Sequence, residues 1–554
     1  MSPLVSANDP HGVPAPADSL TPEELLYEAS ERFATRHPTH SAKAGLTLWQ
    51  RLLPAMFVAV GLIGLLVDWW TTLVAVLVLA NVAFFANVGF KVGSSLFRPL
   101  YRVGQRELRS VQRKALAARG LTSLEAVTQA IDLPVYTILV PVYQEANVIG
   151  RIIDSVESWQ YPKDRLDVLV LLEESDTETI EAAHAAEPAA HVRLLIVPEG
   201  QPRTKPRACN YGLLFARGEY VVIYDAEDRP EPDQLLKALG TFRFAEQIAA
   251  AGHARPLACV QASLNYYNAD YNVLTRMFSI EYAQWFDTML PGMDVTGCPI
   301  PLGGTSNHFL RSALVEVGGW DPYNVTEDAD LGLRLASSGY RVDVVDSTTW
   351  EEATAKVGPW IRQRTRWIKG YMVTAAVNLR RPIAWTRTNG LSGLVTMLGL
   401  ILGTPAAFLL YPLALGFTLG TWLIGPVFEV RLPRWLLDIG ILNMVWLNGL
   451  MVVLSGIAAW RRYNWRIAAF AVFLPVYWLL HGVAAWRAAI QIGTDPHRWE
   501  KTPHGLTEEY DDSSVDSRGL PHSAASRSIG SGGVQPSSRD APATALTTNS
   551  PGSS

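Results

Sequence analysis

The sequence predicts a mostly parallel α/β domain inserted between groups of membrane-spanning helices. Nearly charge-free apolar runs occur before residue 90 and after residue 390, and between them β-rich runs alternate with helix-like segments. A bilayer crossing takes about 20 apolar residues, and strands that alternate with helices favour a parallel sheet. With 554 residues, 49% of them hydrophobic, the chain is too long for one domain and too apolar to be wholly soluble.

Composition argues against several classes of protein. The formal net charge is −5 and the basic residues form no dominating block, so nucleic acid is not an expected partner. Cys209, Cys259 and Cys298 are widely spaced without a CxxC pair, which predicts neither a zinc site nor a disulfide framework. No basic start followed by an apolar core occurs in the first fifty residues, so we expect insertion through internal spans rather than a cleavable signal peptide.

The N-terminal part divides into three predicted segments. Residues 1–50 are expected to be a cytosolic tail, although Thr21 and Glu24 could form the capping box of a short helix there. Residues 51–90 predict a transmembrane hairpin. Residues 91–134 form a basic linker, which the positive-inside rule places in the cytosol.

The C-terminal half predicts an interfacial amphipathic segment over residues 359–390, followed by about four transmembrane helices over 391–490. Because the first apolar run exceeds one crossing and contains prolines, we expect it to divide near Tyr411, which gives about six spans in all. From residue 511 to 554 the composition is Ser, Pro, Thr, Ala and Gly-rich, which predicts a disordered tail.

Six spans place Arg461, Arg462 and Arg466 outside the cell, against the positive-inside tendency. A five-span arrangement removes that conflict but sends the end of the chain, near Trp499, outside. We expect six spans, because the segment near Trp499 would then lie in the cytosol, on the side of the predicted α/β domain.

An acidic turn follows one apolar strand of the domain predicted over residues 135–358. The stretch YVVIYDAEDRPEPD ends its strand in Asp225, Glu227 and Asp228. Carboxylates at the carboxyl end of a strand lie where open α/β sheets bind ligands, and oxygen ligands suit Mg²⁺ or Mn²⁺ bridging a diphosphate. An acidic turn that caps the next helix explains this stretch equally well.

Two further segments carry groups that a nucleotide sugar needs. VLVLLEESD ends a strand in Glu173 and Glu174, and RTKPRACN places Lys205 ahead of Asn210. Together they could supply acceptors for a base or ribose edge and a cation for phosphate. Each segment alone is common surface chemistry.

Later in the domain, Glu327 and Asp328 precede an amphipathic helix, and Thr326 could simply cap it. The functional interpretation makes Asp328 a general base that takes the proton of an attacking hydroxyl. Beyond it, the segment QRTRW contains Arg366, which could neutralise a diphosphate, and Trp367, which could stack on a sugar. An interfacial helix is the plainer explanation of this segment.

Taken in order and between apolar spans, DAED, TED and QRTRW resemble the D,D,D,QxxRW pattern of family 2 processive glycosyltransferases, which include cellulose, chitin and hyaluronan synthases. The chain looks most similar to the bacterial β-glucan synthases of that family. The resemblance implies a GT-A fold, a UDP-sugar donor, a divalent metal and transfer with inversion.

Carried over by position, the resemblance assigns residues to four roles. Asp225 with Glu227 or Asp228 would bind the metal and diphosphate, and Asp328 would be the catalytic base. The donor would be bound by Glu173, Glu174, Lys205 and Asn210. The acceptor end would be lined by Glu327, Gln363, Arg366 and Trp367. The sequence departs from the usual DxD at Glu227 and from the first family Asp at LEESD.

Beyond the last span, residues 491–510 contain HRWEKTPHG, in which Trp499 and Thr502 resemble the family's gating segment beside the cytosolic site. A juxtamembrane turn with an aromatic anchor is the alternative. If the segment covers bound UDP, it must be cytosolic.

We therefore expect a multi-pass plasma-membrane enzyme with a cytosolic catalytic domain. It would transfer hexosyl units from a UDP-sugar to a growing polysaccharide, with accessory export or regulatory subunits as possible partners. One alternative is a non-processive transferase acting on a lipid. Another, a transporter with a nucleotide-sensing domain, lacks a P-loop and leaves the carboxylates unexplained.

Overall fold

The computed structural model describes residues 17–118, 133–250, 255–428 and 432–495. The centre of the molecule is one eight-stranded sheet with the strand order β3-β2-β1-β4-β7-β6-β8-β5. Numbered along the chain, the strands are β1 (Tyr136–Val142), β2 (Leu166–Glu173), β3 (Val192–Val197), β4 (Tyr220–Ile223), β5 (Arg229–Pro230), β6 (Leu257–Tyr266), β7 (Asn307–Leu310) and β8 (Arg341–Glu351).

The α-helices precede, interleave with and follow this sheet. In chain order they are α1 (Pro22–Ser30), α2 (Arg32–Arg36), α3 (Leu48–Val67), α4 (Trp69–Ala118), α5 (Ile149–Glu157), α6 (Thr177–Ala185), α7 (Lys205–Phe215), α8 (Gln234–Ala250), α9 (Val273–Gln284), α10 (Leu290–Thr296), α11 (Arg311–Glu316), α12 (Glu327–Ser337), α13 (Val357–Asn378), α14 (Pro382–Thr396), α15 (Gly403–Phe428), α16 (Arg434–Ile441), α17 (Asn448–Arg462), α18 (Trp465–Ala469) and α19 (Leu474–Thr494).

The sheet is mixed and mostly parallel, as predicted. β1 pairs in parallel with β2 and β4, β2 with β3, and β6 with β8. The antiparallel pairs are β4 with β7, β6 with β7, and β5 with β8. β2 is buried along its whole length, and the residues between Asp167 and Glu173 are all apolar. Since β1 and β4 are parallel neighbours, the residues that follow them meet at one edge of the sheet.

The N-terminal segment is folded, so the prediction of a tail over residues 1–50 is wrong from residue 17 onward. α1 begins with the predicted capping box: Glu24 N donates to Thr21 Oγ1 over 3.4 Å, and Thr21 N donates to Glu24 Oε2 over 2.8 Å. Asn210 donates to a carbonyl of α1, and the guanidinium of Arg380 donates to four carbonyls between residues 38 and 45. These bonds give the segment partners that a solvated tail lacks.

Five segments of the described chain are long and apolar enough to cross a membrane. They are Leu48–Val67, Trp69–Gly104, Pro382–Phe417, Arg434–Arg462 and Trp465–Thr494. The expected division near Tyr411 is wrong, because α15 continues through that residue to Phe428. Pro405 lies in the first turn of α15, where a proline costs little. The chain bends instead at Gly390, whose φ is 65°.

The last apolar segment, Trp465–Thr494, is flanked at both ends by contacts with the α/β domain or with α13. At its start, the Arg462 guanidinium pairs with the Asp287 carboxylate and donates to Thr348 Oγ1 over 2.9 Å. At its end, Lys369 Nζ on α13 donates to the Asp495 carbonyl over 3.4 Å. The expectation that Arg462 lies across the membrane from the α/β domain is therefore wrong, because a carboxylate of that domain binds it.

α13, which carries the QRTRW segment, has protein on both sides rather than one face on a membrane. Trp360, Thr365 and Lys369 on this helix are fully buried. Ile368 packs against three alanines of α19, at positions 484, 485 and 488, whose small side chains let the two helices approach closely. The interfacial prediction for residues 359–390 is therefore wrong for the part that lies in α13, up to Asn378.

One hydrophobic core continues from the α/β domain into the apolar helices. Phe278 and Met293 of the domain belong to the same packed cluster as Met451, Leu474 and Tyr477 of the apolar helices. The two parts of the protein therefore share an interior rather than meeting at a polar joint.

Candidate active site

A cavity of about 420 Å³ opens at the edge of the sheet where β1, β4 and β8 end. Its polar end is lined by Asp225, Glu227, Glu327, Asp328 and Glu351. From there it passes α13 and reaches side chains of α4, α15, α17 and α19. Residues predicted from three separate motifs thus meet in one space that also touches the apolar helices.

The DAED turn divides its carboxylates between the cavity and the interior. Asp225 and Glu227 line the cavity, whereas Asp228 is only 2% exposed and lies beneath the turn. The carboxylate of Asp228 accepts hydrogen bonds from Asp225 N, over 2.8 Å, and from the Thr305 hydroxyl. Burial, together with the charges of Asp225 and Glu227, raises the pKa of Asp228 well above its usual range. Asp228 thus shapes the turn, and the other two carboxylates face the cavity.

Lys205 begins α7 and reaches across the cavity to the DAED turn. Its ammonium contacts the Asp225 carboxylate and donates to the Gly304 carbonyl over 2.8 Å. Burial opposes the charged form of Lys205, but the attraction of Asp225 outweighs it and raises the lysine pKa. A fixed cation therefore stands beside the carboxylates, where a diphosphate would need one.

Glu327 and Asp328 form the first turn of α12 and both line the cavity. Asp328 Oδ1 accepts a hydrogen bond of 2.7 Å from Ala329 N, while Thr326 makes no side-chain cap. Burial and the charge of Asp328 raise the pKa of Glu327 to about 7, and burial raises the pKa of Asp328 too. A carboxylate with a raised pKa is a stronger proton acceptor near neutrality.

The two arginines of QRTRW have different environments. Arg366 faces the Glu327 and Asp328 carboxylates, whose charges favour its charged form against burial. Arg364 instead makes a bidentate ion pair with Glu281, 2.8 Å for each contact. Gln363 and Trp367 also line the cavity. Of these two arginines, Arg366 is therefore the one that lies near the Asp328 carboxylate.

Trp367 is held in place by its neighbours. Its ring stacks on Tyr282 with centroids 6.2 Å apart and an interplanar angle of 29°. The guanidinium carbon of Arg364 lies 4.4 Å from the Trp367 centroid and 4.3 Å from that of Phe278. These contacts present the indole to the cavity as a rigid apolar wall.

The predicted donor residues do not all come together. Glu173 lines the cavity and pairs with the buried Arg207 guanidinium, while burial raises the Glu173 pKa. Glu174 is outside the cavity lining and accepts a 3.0 Å hydrogen bond from Glu199 N. Asn210 is outside it as well, because its side chain binds the backbone of Ala29 and Trp320. Trp499 and Thr502 lie outside the described residues.

Several cavity residues were not anticipated from sequence. Tyr143 follows β1 and Glu351 ends β8, so both lie at the sheet edge already identified by the DAED turn. Arg203 lies over the Tyr143 ring, 6.0 Å from its centroid. Burial and the charges of the DAED carboxylates raise the pKa of Glu351 well above its usual range. Position at a strand end was the available signal for Tyr143 and Glu351, whereas Glu281, inside α9, offered none.

The carboxylates that face the cavity suit a divalent cation bound mainly by its substrate. Among the described residues, no group of three or more His, Cys, Asp or Glu side chains is arranged to hold a metal alone. Mg²⁺ is commonly bound by one or two carboxylates together with substrate phosphates and water. Asp225 and Glu227 fit that pattern, with the oxygen donors it requires.

Comparison with known proteins assigns this site to a family. Residues 134–370 match the family described as glycosyltransferase like family 2. The chain contains a family 2 glycosyltransferase domain. With its mixed sheet, the glycosyltransferase domain has the predicted GT-A fold, and the match extends past the predicted boundary at residue 358 to include QRTRW.

Individual relatives cover only part of this chain. A probable glycosyltransferase of Bacillus subtilis, YdaM, is 29% identical over 244 residues, 43% of this chain and 56% of the relative. The poly-β-1,6-N-acetyl-D-glucosamine synthase of Staphylococcus aureus is 24% identical over 240 residues, 43% of this chain and 55% of the relative. The chain thus spans about half the length of these curated relatives. A mannosyltransferase of Pyrobaculum calidifontis, solved with GDP-Man and Mn²⁺, has a TM-score of 0.41 and 19% identity, and covers 73% of this chain and 99% of its own.

Proposed function

We propose that the chain is a membrane-embedded, inverting glycosyltransferase that transfers hexosyl units from a UDP-sugar to a growing polysaccharide. One observation carries the proposal: the cavity that holds the DAED and TED carboxylates continues past Trp367 to the apolar helices. A polymer that grows at the carboxylates would have space to extend toward the bilayer. The polysaccharide synthase among the matched relatives supports the same class of acceptor.

Asp328 is the proposed base. As the acceptor hydroxyl oxygen bonds to the anomeric carbon, the bond from that carbon to the diphosphate oxygen breaks, and the hydroxyl proton passes to the Asp328 carboxylate. UDP leaves with the bonding electron pair. One displacement of this kind inverts the configuration at the anomeric carbon.

The departing diphosphate is proposed to lie between the DAED turn and the start of α7. Asp225 and Glu227 would hold a Mg²⁺ or Mn²⁺, which supplies positive charge to the leaving group when bound. Lys205, which contacts Asp225, and Arg366, which faces Asp328, add fixed cations on either side. Glu173 and Tyr143 are proposed to contact the nucleoside at the β1 and β2 ends of the cavity.

We propose that Trp367 and Gln363 hold the acceptor sugar. The indole face, fixed by Tyr282 and Arg364, offers an apolar surface for the C–H face of a pyranose. Gln363 Oε1 is buried without a hydrogen-bond partner in the described structure, which leaves an acceptor for a sugar hydroxyl.

The catalytic domain is proposed to be cytosolic, with α3, α4, α15 and the segment Arg434–Arg462 crossing the membrane. The last apolar segment, Trp465–Thr494, would then lie along α13, since both its ends contact the catalytic side. This arrangement puts Arg461, Arg462 and Arg466 in the cytosol, as the positive-inside rule prefers. It also returns the chain to the side where the segment with Trp499 could reach the site.

The direct test incubates membrane vesicles containing the protein with labelled UDP-glucose, UDP-N-acetylglucosamine, UDP-glucuronate or GDP-mannose, with and without Mn²⁺. We expect a labelled polymer from one UDP-sugar in the presence of the metal. A labelled glycolipid would indicate the lipid-acceptor alternative, and no transfer from any donor would overturn the proposal.

A further inference from the structure

The apolar half of the active-site cavity contains a lysine. Lys91 comes from α4, which is among the helices long and apolar enough to cross a membrane, and its side chain lines the cavity together with Thr404, Phe408 and Ser455. The ammonium lies 5.4 Å from the Phe408 ring centroid. A charged group in such a place is costly unless something compensates it.

The carboxylate that faces Lys91 is already used by other groups. Glu281 receives both guanidinium contacts of Arg364, a 2.9 Å hydrogen bond from the Tyr477 hydroxyl, and His481 Nε2 at 3.4 Å. Within the part of the chain that the structure describes, the Lys91 ammonium has neither a hydrogen bond nor an ion pair, and its contact is the Phe408 ring. A cation–π contact offsets only part of the cost of such a charge.

The charges around this part of the cavity therefore do not balance. Arg364 neutralises Glu281, so Lys91 is left as a positive charge in excess, directed into space that a ligand can enter. Thr404 and Ser455 add hydroxyl donors to the same wall. A neutral sugar would leave the ammonium uncompensated, whereas an anionic group on the ligand would pair with it.

We propose that Lys91 forms an acceptor subsite for an anionic group, a carboxylate or a phosphate monoester, on the glycan or lipid that receives the sugar. This inference rests on the proposed function, since it takes the cavity past Trp367 to be the acceptor side. The anion lies between Lys91 and the hydroxyls of Thr404 and Ser455, while the hydroxyl that reacts reaches Asp328.

The test measures binding before transfer, so that its failure is separate from failure of the proposed function. Purified protein in detergent is titrated with two matched pairs of probes: a glucuronate-containing oligosaccharide and its methyl ester, and a polyprenyl phosphate and the polyprenol of equal length. We expect one charged probe to bind at least about tenfold more tightly than its neutral partner, because charge-assisted hydrogen bonds are the stronger ones. The pair that discriminates identifies the source of the anion.

Two variants assign that preference to Lys91. Lys91→Gln should abolish the preference for the charged probe and Lys91→Arg should keep it, while Lys163→Gln, a change on the far side of the sheet, should match wild type. Equal binding of charged and neutral probes by wild type, or an unchanged preference in Lys91→Gln, overturns the inference. Equal binding by wild type overturns the inference even if Lys91→Gln does not fold, and the retained preference of Lys91→Arg then tests the need for a cation at this position. Absence of sugar transfer in parallel assays would count against the proposed function, not against the anion subsite.

Discussion

Arg364 of the QRTRW segment pairs with Glu281 and not with a group at the diphosphate end of the cavity. The pair fixes Trp367, because the guanidinium lies against its ring. We expect Arg364→Lys to lose the bidentate geometry and the ring contact. Losing one charge-assisted hydrogen bond costs about 2 kcal/mol of unfolding free energy, which thermal unfolding in detergent would measure.

The control for that change is Arg362→Lys, two residues away on the opposite face of α13 and outside the cavity lining. If Arg364→Lys and Arg362→Lys unfold at the same temperature as wild type, the ion pair does not hold the platform.

Asp328→Asn should abolish sugar transfer while UDP binding persists, because the amide cannot take the hydroxyl proton. Transfer rates and equilibrium UDP binding on the same preparation would check this. Glu174→Gln is the matched control, since Glu174 lies outside the cavity lining and should transfer at the wild-type rate. Polymer synthesis by Asp328→Asn would remove Asp328 from the role of base.

The pH profile should have an acidic limb above the pH at which an ordinary aspartate titrates. Burial and the neighbouring Asp328 raise the pKa of Glu327 to about 7, and the pKa of Asp328 is raised as well. The base is protonated below its folded-state pKa, so transfer should fall as the pH drops through the raised pKa of Asp328. In Glu327→Gln the competing charge is gone, and the limb should move to lower pH.

The raised pKa of Glu327 also makes the free energy of unfolding depend on pH. Unfolded Glu327 releases its proton at an ordinary pKa near 4.5, while the folded protein holds it to about 7. Above the lower value the folded state binds more protons, so this residue makes the fold less stable as pH rises between the two. A Glu327→Gln variant that shows the wild-type pH dependence of both activity and unfolding would contradict this.

Asn210→Ala should lower stability without changing donor affinity. The side chain donates to the carbonyls of Ala29 and Trp320 and accepts from Trp320 N, all within the interior. Leaving these groups without partners costs about 2 kcal/mol. The measurements are thermal unfolding and the KM for the UDP-sugar. A raised KM for the UDP-sugar at unchanged stability would instead support a donor-binding role for Asn210.

The proposed topology can be tested by cysteine labelling with a membrane-impermeant maleimide. In a background without Cys298, the cysteine that is not fully buried, Arg461→Cys and Gly493→Cys should label from the catalytic face. Asp68→Cys, in the turn of the first hairpin, should label from the opposite face. Labelling of Gly493→Cys together with Asp68→Cys would mean that the last segment crosses the bilayer.

The sequence predicted the sheet and the three motifs at its edge because these depend on local patterns. Apolar runs ending in carboxylates indicate strand ends, and parallel strands bring Asp225 to the edge where β1 ends. The capping box of Thr21 and Glu24 is equally local. Such features need no knowledge of distant contacts.

What sequence did not predict depends on contacts between distant residues. Asn210 resembled a donor ligand, but Ala29, 181 residues earlier, occupies its amide. The sequence placed Arg462 across the membrane from the α/β domain, because its ion pair with Asp287, 175 residues away, is a long-range contact. Lys91 looked like one of many membrane-flanking cations, and only the folded cavity shows that it faces the site.

If the apolar helices cross the bilayer as proposed, the continuous core from Phe278 to Tyr477 makes the lipid environment a variable of the reaction. Side chains of these helices line the cavity, so a change in bilayer thickness that tilts the helices would alter the shape of the cavity. Thick and thin membranes, or different detergents, should therefore give different product lengths from the same donor. An isolated catalytic domain would lack part of its own interior.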